Sequence, residues 1–168
     1  MKIRVLAAMF GVGGLLISGC SPADRGAAVT SPAAVTPSGI IRSQGDLQRY
    51  LSATAGSGSP LSALSSGART RFLSSITFNG KGITGFHYGD LQSELTASQI
   101  VAVLSLFGVE KDVAIIPNVR VETATDRRAI RAVQLLDPPG EGTDYKGYWC
   151  PSPGTCTVKN DSICTSNC

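Results

Sequence analysis

Four cysteines crowd into the last 19 residues of the chain: Cys150, Cys156, Cys164 and Cys168. Such a cluster has two chemistries open to it. Oxidised, four thiols form two disulfides, with three possible connectivities. Reduced, they could hold zinc, for which ligand pairs spaced C-x2–4-C are usual. Cys164-x3-Cys168 fits that window and Cys150-x5-Cys156 does not, which favours disulfides. The pairing Cys150–Cys156 with Cys164–Cys168 closes the shortest loops, and Pro151-Ser152-Pro153-Gly154 supplies a turn inside the first of them. That connectivity is the expected one.

Other reactive side chains are sparse. His87, in Phe86-His87-Tyr88, is the one histidine. A Ser-His-Asp hydrolase would need it as the base, with Asp90 as the nearest acid. No G-x-S-x-G elbow is present, and Ser57 and Ser59 sit in a Gly/Ser stretch. Glu94, Glu110, Asp112 and Glu122 could supply a carboxylate pair for glycoside hydrolysis, but spacing alone does not establish the separation that chemistry requires, and surface acids are ordinarily solvent-facing. There is no C-x-x-C redox motif, no P-loop, and no clustered metal-ligand set outside the cysteines. Gly11-Val12-Gly13-Gly14 belongs to the apolar N-terminus. The residues therefore predict no catalytic site, no metal and no cofactor. Tyr145, Tyr148 and Trp149 stand together just before the cysteines and are either the candidate contact surface, since Tyr and Trp bring large area with a polar tip, or a small core packed under the disulfide element.

The N-terminus assigns the compartment. Met1-Lys2-Ile3-Arg4 is a short basic start, and Val5–Ile17 is an apolar run of about 13 residues, the length of an export signal and short of the about 20 a bilayer span needs. Ile17-Ser18-Gly19-Cys20 then resembles the lipobox of bacterial lipoproteins. The resemblance covers the first 20 residues. It implies cleavage after Gly19, diacylation of the Cys20 sulfur and usually a third acyl chain on the new amino group. Each buried methylene contributes about 0.8 kcal/mol, so two or three chains hold the protein on the membrane. In lipoproteins of diderm bacteria an Asp after the cysteine favours inner-membrane retention. Ser21 at that position implies the outer membrane, with the protein facing the periplasm. An oxidising envelope also fits the disulfide reading of the four remaining cysteines.

Charge excludes one class of partner. The formal charge of +3 includes Lys2 and Arg4, and removing these two from the 15 Lys and Arg leaves 13 basic against 12 acidic groups. A near-neutral protein has no electrostatic reason to bind nucleic acid, and Arg127, Arg128 and Arg131, flanked by Asp126 and Asp137, read as a solvated helix face.

These residues need elements to position them. Residues 1–19 are the signal. Residues 20–40, rich in Pro, Ala and Ser, form a tether spanning at most about 70 Å. Residues 41–137 are expected to be a mainly helical domain. Ser43 can cap a helix bearing Leu47, Tyr50 and Leu51, and Ser59-Pro60 opens another, from about Leu61 to Ser75, which Gly67 weakens. Phe78 to Gly82 is a turn, Ile83 to Tyr88 a short strand or extended loop, and Gly89 to Leu95 a short helix. Thr96 and Gln99 form a capping box ahead of a helix with Ile100, Val103, Leu104 and Phe107 on one face, ended by Gly108. Val113 to Ile116 is a buried run stopped by Pro117, Asn118 to Glu122 alternates as a strand would, and Asp126 to Leu136 is helical. Residues 138–143 are a linker, and 144–168 a cysteine-rich module of two or three strands. The fold class is α+β. The expected function is that of a lipid-anchored envelope protein with a non-enzymatic binding role toward an envelope protein. The alternatives are a carrier of a separable cysteine-rich effector peptide, or a small periplasmic hydrolase.

Overall fold

Ser43 opens the first helix as its side chain requires: the Oγ accepts the amide hydrogen of Asp46 at 3.1 Å. The computed structural model describes residues 39–55, 58–136 and 144–168, all within one compact unit, Ala34–Cys168. The signal, Cys20, nearly all of the tether and the 138–143 linker lie outside the described residues. Among the described residues no helix is long and apolar enough to cross a membrane.

Helix α1 (Gln44–Ala53) buries Leu47 and Tyr50. Ser59 caps a short 3-10 turn, Pro60–Ala63, and α2 spans Ser66–Ser75. The helical stretch expected from Leu61 to Ser75, with Gly67 as the point of weakness, is indeed in two pieces, but the break is at Leu64–Ser65 rather than at Gly67. The reason is a competing partner. The Ser65 amide and hydroxyl donate to the Glu94 carboxylate at 2.7 and 2.8 Å, and the Ser65 Oγ accepts from the Ala68 amide, so Ser65 starts a new helix. Those two hydrogen bonds also hold the Glu94 carboxyl below its usual range.

Strands β1 (Thr77–Asn79) and β2 (Gly82–His87) form a hairpin whose turn is fixed by Asn79 Oδ1, which accepts from the amides of Lys81 and Gly82. Helix α3 (Gly89–Glu94) leads to α4 (Ala97–Ser105), where the Thr96 amide donates to Gln99 Oε1 at 2.9 Å. Ile100, Val103, Leu104 and Phe107 are all buried, as their spacing requires. Gly108 leaves the helix at φ +69°. Val113 and Ile116 are buried, within and after a 3-10 turn, Glu110–Ala114.

Asn118–Glu122 is not a strand. Pro117 ends the preceding run, Asn118 turns the chain at φ +50°, and only Arg120 bridges, parallel, to Thr96. Helix α5 (Ala124–Leu136) follows. Asp126 ties it to α4: its carboxylate accepts from the Ser98 amide and hydroxyl and from the amides of Glu122 and Thr123. These donors, Ser98 first, hold the Asp126 carboxyl far below the usual range.

The C-terminal residues form β3 (Tyr145–Ser152) and β4 (Thr155–Cys164). They do not stand apart. The sheet order is β1-β2-β4-β3, with Gly85, Phe86 and His87 of β2 paired antiparallel to Cys164, Ile163 and Ser162 of β4. Ile163 and Phe86 are buried in one core with Phe72 and Phe107, and Phe72 meets the other two rings edge-on at 6.2 and 6.1 Å. The α+β class stands, but the hairpin after the linker shares the sheet and the core of the helical part.

Candidate functional site

The site sequence reasoning placed in residues 144–168 is built on a bent strand. Between Val158, which faces Tyr148, and Ile163, which faces Lys146, β4 carries more residues than β3. Four residues, 159–162, stand against Gly147 alone, an excess of three that bends the strand, with Asp161 at φ +55°. The bend returns Cys164 to Cys156, Cα to Cα 6.0 Å, across eight positions that a straight strand would stretch to about 26 Å.

The connectivity is therefore Cys156–Cys164 and Cys150–Cys168. Two intramolecular disulfides are present as expected, but the shortest-loop pairing is not the one formed. The register shift between Trp149 and Ser152 leaves Cys150 buried and Cys156 partly exposed, although only a turn separates them. The C-terminus is pinned beside Cys150 by the Gly154 amide, which donates to the Cys168 carbonyl at 2.6 Å.

The three candidate contact residues divide between two faces. The register slip after Lys146 puts Tyr145 and Tyr148 on one side, their rings edge-on at 6.2 Å. Val158 sits opposite Tyr148. Tyr145 is 54% exposed, Tyr148 37% and Val158 74%. Trp149, one residue on, points to the other face, where Lys159 Nζ lies 4.5 Å over its ring. Val158 was not anticipated; the signal that finds it is its cross-strand pairing with Tyr148, which needs the register.

Asp90 is taken by Arg71, whose Nε donates to both carboxylate oxygens at 3.1 and 3.3 Å. Ser75, which meets the His87 backbone, uses its Oγ to accept the His87 amide and to donate to the Phe72 carbonyl. Glu94 holds Ser65, and Glu122 pairs with Arg120 at 3.7 Å.

One carboxyl pair does form, and it joins the helical part to the hairpin. Asp112 is 2% exposed and faces Asp144, which leads into β3. Asp144 accepts the Ser166 amide and lies 3.2 Å from Lys111 Nζ. Asp112 Oδ2 is buried with no hydrogen-bond partner, while Asp144 Oδ2 has the Lys111 ammonium beside it. Burial pushes the Asp112 carboxyl well above the ordinary 3.8; the Asp144 charge beside it adds to the rise, Glu110 adds less, and Lys111 opposes it. A proton on Asp112 can be donated to Asp144, which supplies the missing partner.

Because the folded state holds this proton more tightly than the unfolded chain, stability is full below the ordinary carboxylate range. It falls as pH rises toward the raised value. Asp112→Asn keeps the shape without the titration. Its melting temperature is expected to change less than that of the native protein between about pH 4 and 8, so the variant gains relative stability toward the alkaline end. Thermal melts across that range check this, and parallel curves would refute it.

No family model matches the chain. No curated protein matches it, and no solved structure does.

Proposed function

We propose that this is a lipid-anchored protein of the bacterial cell envelope, held in the outer membrane through Cys20, that binds an envelope protein without catalysing a reaction on it. The observation that carries the binding role is the Tyr145–Tyr148–Val158 face. Three large side chains are exposed together, Tyr145 and Tyr148 on the edge strand β3 and Val158 beside them on β4, and two disulfides and the β2–β4 pairing hold the hairpin in place, so little side-chain or backbone freedom is lost on contact. The export signal and lipobox support the anchor. Arg71's hold on Asp90 weighs against a His87 hydrolase, and the pairing of β4 with β2 weighs against release of residues 144–168 as a peptide.

A photocrosslinker at position 148 of the full-length protein in intact cells is expected to give one discrete protein adduct. Tyr145→Ala should weaken that contact by more than about 1 kcal/mol, about fivefold, with an unchanged melting temperature. Trp149→Ala, altered on the opposite face, should leave the adduct. Cys20→Ala should abolish acylation, seen by mass spectrometry of the mature N-terminus. No adduct at 148, or an adduct lost equally in Trp149→Ala, ends the binding reading. An unacylated mature N-terminus in the native protein ends the anchor reading separately.

A further inference from the structure

The two disulfides abut. The sulfurs of Cys150, Cys164 and Cys168 lie within 4.8 Å of one another. Each bond joins a buried cysteine to a partly exposed one: Cys150, 8% exposed, to Cys168, and Cys164, 0% exposed, to Cys156. A Cβ on Gly85 would stand 2.9 Å from the Ile163 carbonyl oxygen, so the bare glycine lets β4 close on β2 at Cys164, its cross-strand partner, and the Cys150 nitrogen lies 3.6 Å from the same point.

We infer that this cluster is a thiol–disulfide exchange site whose two-electron-reduced form keeps a buried Cys150–Cys164 bond and presents Cys156 and Cys168 as a surface dithiol to a dithiol partner protein. A partner thiolate attacks the Cys156 sulfur. A mixed disulfide forms, the Cys156–Cys164 bond breaks, and its electron pair leaves on Cys164. The Cys164 thiolate attacks the Cys150 sulfur. The Cys150–Cys164 bond forms, the Cys150–Cys168 bond breaks, and the pair leaves on Cys168, which takes a proton from solvent. The partner's second thiol then attacks its own sulfur in the mixed disulfide and frees Cys156. In sum, one partner dithiol is oxidised to a disulfide and one disulfide of this protein is reduced. Burial drives the bond inward, because an apolar setting penalises a thiolate. A neutral disulfide is better placed on Cys150 and Cys164, and free thiols on Cys156 and Cys168.

The test uses the mature oxidised chain and one equivalent of dithiothreitol, followed by alkylation and tandem mass spectrometry of the peptides. The singly reduced species is expected to carry its labels on Cys156 and Cys168 and to retain one cross-link. Labels on Cys150 with Cys168, or on Cys156 with Cys164, would overturn the inference. So would direct passage to four labels with no two-label species. Cys156→Ser/Cys168→Ser should close a Cys150–Cys164 bond and titrate with no free thiol. Two free thiols in the folded double variant would also overturn it, and if that variant does not fold, the labelling of the native chain decides.

Discussion

Replacing Ile163 with alanine is expected to lower the free energy of unfolding by about 2–5 kcal/mol, the range for emptying a buried Leu or Ile position. Ile163 is fully buried, pairs with Phe86 across β2 and belongs to the core that includes Phe72 and Phe107. Against a typical domain stability of about 5–15 kcal/mol, that is a large fraction. A chain ending at residue 143 loses more. It gives up Ile163, leaves β2 unpaired on one side, and strips Asp112 of the acid it faces. It is expected to show no cooperative melt. Urea unfolding of the mature protein, the Ile163→Ala variant and the truncated chain measures all three. A truncated chain that melts like the parent would make residues 144–168 an appendage after all, and would restore the reading of a separable peptide.

What could be read without the fold was local. Ser43, Ser59 and the Thr96–Gln99 pair act through residues two to four positions away, so their types and spacing announce them. The helical faces of α1 and α4 are legible for the same reason. The break at Ser65 was not, because its cause is Glu94, 29 residues on. The joining of β2 to β4 spans most of the described chain, and β2 reads from sequence as no more than a short extended run. The Asp112–Asp144 pair is hidden likewise: each acid alone resembles a solvated charge, and only the return of the chain at the start of β3 buries them together. At the C-terminus the residue types were sufficient to predict two disulfides. The pairing was not legible, since loop length says nothing about the bulge at 159–162 that turns β4 back on itself.

That bulge also sets the second large effect. Loop-closure entropy assigns about 3 kcal/mol to Cys150–Cys168, with 18 residues of separation, and about 2.5 kcal/mol to Cys156–Cys164, with 8. Both constrain one hairpin, and the hairpin carries Ile163 and Cys164 into the core. The stabilisation is therefore felt by the whole unit rather than by the hairpin alone. Cys150→Ala/Cys168→Ala is expected to lower the unfolding free energy by about 3 kcal/mol, and Cys156→Ala/Cys164→Ala by slightly less from entropy, with a further cost for the atoms removed at the fully buried Cys164. Full reduction of the native chain removes both constraints, about 5–6 kcal/mol together. That is comparable with the lower end of total domain stability, so the reduced protein should lose helical circular dichroism and the β-sheet signal in one transition at a much lower temperature. Helical signal that melts unchanged under reduction would show that β4 stays on β2 without its covalent ties, and that apolar contacts such as Ile163 on Phe86 suffice to hold the hairpin.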